Sequence, residues 1–251
     1  DDVLTLLSLV LLFIVLLVEI FTPFTVYLIA PGFFDNTEKF NLAIELTRIT
    51  FPFLLFVSLS SFFSGILNTN NKFAAAAAAP IILNIILIFS LIFSYIYELN
   101  YSKNLSYGVT LAGVIQLVFL IFSTRKYYKP KIQFKLNITS KVKFFLKRLL
   151  PSIFSSGVTQ INIFVGTIIA SFQAGAVSYL YYADRVYQIN LAIAGIAVGT
   201  VSLPALTKAI KTKNIFNIKK IQNKSTELSL LLSIPGSLGL IIASDEITNA
   251  L

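Results

Sequence analysis

The chain has 251 residues, 56% of them hydrophobic and 12% charged, with 23 Phe and a formal net charge of +9. A water-soluble domain is about a quarter charged, so this composition excludes one and leaves a polytopic membrane protein. Neither Cys nor His occurs, which removes disulfides, thiol chemistry and the commonest zinc ligands.

Seven apolar runs reach the about 20 residues that a membrane-spanning helix needs: roughly 3–30, 43–68, 73–97, 106–124, 149–172, 177–207 and 221–243. Counting Lys and Arg by alternate connections gives sixteen on one side: Lys72, nine within 125–148 and six within 208–224. The other side has Lys39, Arg48 and Lys103, and Arg185 is left inside a run. The positive-inside rule then makes the N-terminal end and the basic loops cytoplasmic. Confinement of the charge to loops argues against a nucleic-acid partner. With no Met, an Asp1-Asp2 start before a span and an end within an apolar run, the expectation is an internal fragment of a longer protein. The first run is too long for a secretory signal and lacks its basic flank.

In chain order, the first run carries Glu19 and Pro23 and ends at a P-G-F turn, 31–33. Glu19 inside a span either faces a cavity or is paired in helix packing. Glu45 and Arg48, spaced i, i+3, read as an interfacial ion pair, with substrate contact as the alternative. Pro52 permits a kink. Six alanines at 74–79 either let helices approach closely or are low-complexity drift. Asn84 reads as interhelical glue.

The polar stretch 125–148 is the natural boundary between an earlier part, 1–124, with four spans and a later part, 149–251, with three. Its end, K-V-K-F-F-L-K-R-L-L at 141–150, is amphipathic and suits an interface with anionic membrane lipids; contact with a substrate head group is the sharper alternative. The next run is polar along one stripe, Ser152, Ser155, Thr159, Asn162 and Gly166, widened by Ser156, Gln160 and Thr167.

Residues 178–188 read S-Y-L-Y-Y-A-D-R-V-Y-Q and place Asp184 and Arg185 in an apolar run that carries no further charge until Lys208. At 3-and-4 spacing, positions 178, 181, 185, 188, 192, 195, 199 and 202 form one helical stripe, every residue polar or small. Two such helices imply a wet cavity, and an arginine at membrane depth is a functional candidate by default. The acids at that depth are Glu19 and Asp184, on separate spans. Acid-base or metal chemistry wants His or clustered carboxylates, so neither catalytic residues, a metal nor a cofactor is expected, and the chain reads as a non-enzyme.

A-P-G-F (30–33), E-L-T-R-I-T-F-P (45–52), G-I-L-N-T (65–69), A-P-I-I-L-N-I (79–85), Q-I-N (160–162), S-Y-L-Y-Y-A-D-R-V (178–186) and L-P-A-L (203–206) together resemble the MurJ/MviN family. Its members are lipid II flippases within the MATE-like superfamily of multidrug, oligosaccharidyl-lipid and polysaccharide exporters. The resemblance runs over essentially the whole chain. It implies an all-α, two-lobe transporter fold of about fourteen helices around a cationic cavity, of which this chain would supply the third to ninth. It further implies a monomeric, multi-pass protein of the bacterial inner membrane that flips undecaprenyl-pyrophosphate-linked lipid II; export of drugs or another polyprenyl-linked glycan is the alternative. The family's essential cavity arginine in Y-A-D-R falls on Arg185, and implicated neighbours fall on Ser178 and Asp184, within the same motif as Tyr182. A position often acidic is Gln188 here. With Gln160 and Asn162 from the preceding stripe, these are the expected substrate-binding residues. A carboxylate that some members use for sodium is Gly166 here, which puts sodium coupling in doubt.

Overall fold

The structure is a computed structural model that describes residues 1–70, 72–130 and 139–250, with the backbone alone at 141, 155, 156, 204 and 250. The side chains of Ser155 and Ser156 and a portion of the polar boundary stretch, with Lys131 and Lys135, therefore lie outside the described residues. Among those described, the chain is helical with no strand, and it forms two compact units, Asp1–Phe172 and Gln173–Leu251. Six helices are long and apolar enough to cross a membrane, or seven if a bent pair in the fifth run is one span.

The first unit holds α1 (Asp2–Ile20), α2 (Thr22–Ile29), a 3-10 turn (Pro31–Phe33), α3 (Thr37–Thr50), α4 (Phe53–Thr69), α5 (Phe73–Ile96), α6 (Tyr101–Thr124) and α7 (Ser140–Ser171). Asn36 and Asn100 start α3 and α6 by accepting the N–H of Lys39 and Lys103 at 2.9 and 3.1 Å, the bond that an N-cap supplies to an orphan helix donor. Pro52 divides α3 from α4 within one apolar span, as its missing N–H predicts. The 3-10 turn approaches the end of α7 so closely that a Cβ on Gly32 would collide with the Ser171 backbone. There the Gly32 N–H donates to Ser171 Oγ at 3.0 Å.

Leu4, Phe63, Leu67, Ala79 and Leu120 form the core of this unit, with Ala75 packed against it. The alanine run thus works as a close-approach surface at Ala75 and Ala79. Buried Gln116 of α6 donates to the Ala79 carbonyl at 2.8 Å, and Asn104 donates to Ser90 O and Ser94 Oγ of α5 at 2.8 and 2.6 Å. These two amides, rather than Asn84, bind α6 to α5. The expected Glu45–Arg48 pair does not form. Glu45 reaches Lys103 of α6 at 2.6 Å, because the interhelical cation lies nearer than the next turn of its own helix, and Arg48 turns to α2.

The second unit holds α8 (Ala176–Leu191), a π-helical segment (Ala192–Ala197), α9 (Val198–Lys211), α10 (Ile215–Ile242) and α11 (Ser244–Ala250). Gly175 opens α8 from the left-handed region (φ 76°), a conformation open to glycine without a Cβ penalty. Asn214 caps α10 through the Asn217 N–H at 3.0 Å. α8, the π segment and α9 form one apolar run, Ala176–Lys211, folded back along α10.

Candidate functional site

Arg185 sits on α8 about 13 Å along the helix from Ala176 at 1.5 Å per residue, within an apolar span. Its side chain is exposed. Nη2 donates to the Tyr181 hydroxyl at 3.0 Å, and the guanidinium lies over the Tyr181 ring, 4.8 Å from its centroid. Residues i and i+4 share a helix face, so Tyr181 props the cation from one turn away. An arginine has five N–H donors; the hydroxyl takes one and leaves the planar fork open to a bidentate acceptor.

Asp184 is turned elsewhere. Its Oδ2 accepts from Gln188 Nε2 at 2.6 Å, again an i, i+4 bond. Adjacent residues on a helix diverge by about 100°, which is why Asp184 and Arg185 each find a partner one turn away instead of each other. Gln188 therefore engages the acid, and Ser178 lies exposed one turn before Tyr181 and Tyr182. Ser178, Asp184, Arg185 and Gln188 come together on one exposed length of α8.

Tyr182 is placed differently. Its ring meets that of Tyr181 edge-on at 6.0 Å, but it lines an apolar groove of about 450 Å³ with Tyr179, Val186, Leu240 and Ile247, in which Arg185 takes no part. On α7, Gln160 and Asn162 are both exposed. Two residues apart, they leave the helix about 200° from one another, so one wall cannot carry both.

The long polar stripe is interrupted by the π segment. A π turn inserts extra backbone into the α-helical register, so positions after Ala197 rotate off the face that holds Arg185. Ser202 consequently meets α10, where Ser225 Oγ donates to its Oγ at 2.6 Å. Gly195 lies in a small groove against Ser229, Ser233 and Ser237. Of the later stripe positions, Ser202 is thus held in helix packing, while Gly199 stays exposed with open space beside it. Tyr181, already on the stripe of Arg185, gains the role of its prop, and the periodicity missed Asn190, which donates to Ser237 of α10 at 3.3 Å.

A protein-family model described as lipid II flippase MurJ matches residues 1–251. The chain belongs to the MurJ lipid II flippase family. It is 44% identical to a probable lipid II flippase MurJ of Rickettsia prowazekii (strain Madrid E) over 98% of this chain and 48% of that protein. It is 39% identical to a probable lipid II flippase MurJ of Rhizobium tropici over 100% of the chain and 48% of that protein. Among solved structures, it is similar to lipid II flippase MurJ in an inward closed conformation, with TM-score 0.76 and 29% identity over 97% of this chain and 50% of that one. The chain thus spans about half the length of the relatives it matches, and it is a multi-pass membrane protein of helical, flippase-type fold.

Proposed function

We infer that the protein carrying this chain moves lipid II from the cytoplasmic to the periplasmic leaflet of a bacterial inner membrane by alternating access. Arg185 meets the pyrophosphate. Family membership supports the flippase class, and one observation supports the residue: a guanidinium within an apolar span, held by a tyrosine and, among the described residues, by no carboxylate. A guanidinium fork matches phosphate oxygens bidentately, and the propped side chain needs little further ordering to bind. Ser178 and the Asp184–Gln188 pair flank it as polar neighbours for the sugar or peptide. Residues 1–124 form the later part of the N-terminal lobe, 125–148 the interlobe connection and 149–251 the start of the C-terminal lobe, in a protein working as a monomer. Membrane lipids surround it, with the amphipathic start of α7 in the interface.

The test is depletion of the protein in its bacterium while lipid II is located by membrane side. Lipid II should accumulate facing the cytoplasm, and an Arg185→Ala copy should fail to relieve it, with flipping down about a hundredfold or more. Normal delivery of lipid II in depleted cells would reject the reading in favour of another exported lipid-linked glycan or drug.

A further inference from the structure

The first apolar run is broken inside the span. α1 ends at Ile20 and α2 begins at Thr22, and Pro23 has no N–H to give the Glu19 carbonyl its helical bond. Thr22 Oγ1 fills in, lying 2.9 Å from the Glu19 carbonyl and 2.8 Å from that of Val18. The Glu19 side chain is buried at Oε1, which has no hydrogen-bond partner among the described residues. Arg48 of α3 reaches the same point: its Nε donates to Thr22 Oγ1 at 3.4 Å. The Thr22 hydroxyl thus joins the Glu19 backbone to the Arg48 guanidinium, while among the described residues the two side chains close no ion pair on each other.

Among the described residues, the neighbouring elements add no other charge there. α4, packed on α1, has no titratable side chain, and α2 contributes Tyr27 alone. The charged residues of α7, Lys143, Lys147 and Arg148 among those described, lie in its first turns, whereas α2 and the 3-10 turn pack near its end. On α3, Glu38 and Lys39 are in the first turn and Glu45 is bound to Lys103. Asp2 is at the opposite end of α1.

We propose that Glu19 is a proton-binding site within the membrane, with Arg48 as its exchangeable counter-charge. Carboxylates inside transporter spans mark ion pathways more often than packing, and broken helices with freed carbonyls are where such sites are built. The occupant is a proton and not a metal cation, because the adjacent guanidinium repels a metal while a proton removes the carboxylate charge. One H⁺ from water converts the carboxylate to the neutral acid and leaves Arg48 on Thr22. Its release lets Arg48 close on the carboxylate and tie the α1–α2 break to α3.

The experiment is infrared difference spectroscopy between acidic and alkaline sodium-free buffers, on the protein in liposomes. A titrating protonated-carboxyl band is expected that disappears in Glu19→Gln and persists in the exposed-site control Glu38→Gln. Arg48→Gln should carry the band about one pH unit or more to the alkaline side, since the carboxylate loses its counter-charge. A band unchanged in Glu19→Gln, unmoved in Arg48→Gln, or erased by sodium at fixed pH overturns the proposal, the last in favour of a metal cation. Should Glu19→Gln fail to accumulate in the membrane, Glu19→Asp supplies the reading: a shifted band supports the site and an unshifted one overturns it. The readout involves no lipid II, so its failure leaves the flippase reading untouched.

Discussion

At the scale of the residue, Asp184 and Arg185 adjoin in the sequence and do not pair, because α-helical geometry sends the two side chains to partners on different turns. Arg185→Ala should therefore leave membrane abundance at the parental level while abolishing flipping, and Arg185→Lys should rescue only in part, keeping charge without the fork. Adding Asp184→Ala should restore nothing; an active double variant would show that Arg185 serves only to neutralise Asp184. Tyr181→Phe keeps the ring and removes the hydroxyl, an exchange worth about 1 kcal/mol, so flipping should fall less than about tenfold. Gly32 makes a separate prediction. A methyl there meets the Ser171 backbone, which is no flexible side-chain end, so Gly32→Ala should destabilise the fold by about 1–3 kcal/mol. A thermal unfolding midpoint in detergent equal to the parent's would refute that contact.

Helices as elements were legible because membrane spans announce themselves by length and apolarity, and each of the seven runs coincides with a helix or helix pair. Pro52 stands at the α3–α4 division, where a kink is expected, whereas the caps Asn36, Asn100 and Asn214 start α3, α6 and α10 ahead of the apolar runs at 43, 106 and 221. What stayed illegible depends on neighbours. Glu45 pairs across to Lys103, a choice that spacing along one helix cannot reveal. The π segment is invisible to a fixed 3.6-residue period, which carried the stripe past Ala197 onto Ser202, a residue bonded to α10. The α5–α6 contact shows which force holds such elements. Gln116→Leu removes one bond to Ala79 but keeps the volume, and interhelical bonds in bilayers average about 0.6 kcal/mol. Gly113 of α6 lies where a Cβ would stand 2.7 Å from Phe53 Cδ2 and 3.0 Å from Phe56 Cβ of α4. Gly113→Val should therefore destabilise by about 1–3 kcal/mol, more than Gln116→Leu. Unfolding in a denaturing detergent titration should rank them so, and the reverse order would make polar glue the stronger tie.

For the whole molecule, topology turns on α7, whose Val142–Phe154 and Gly157–Ser171 portions meet at 46°. Gly157–Ser171 alone rises about 22 Å, short of the about 30 Å hydrocarbon core. The tilted first portion adds about 14 Å along the same direction, which is enough to cross. If α7 crosses, the loops with Lys72, with Arg125 and Lys129, and with Lys208 and Lys213 share one side. If it is a re-entrant turn, the loop at 208–224, with its six Lys, moves to the side of Lys39, Arg48 and Lys103, and the charge asymmetry that orients membrane proteins largely vanishes. Seven crossings are therefore expected. Single cysteines at Lys129 and Lys213 should react with an impermeant thiol reagent only from the cytoplasm, and at Asp35 and Gln173 only from outside. None of these 251 residues is a Cys, so none of them competes for the label. Lys129 and Gln173 labelling from one side would make α7 re-entrant, and would place the α8 arginine in a helix running the opposite way through the membrane.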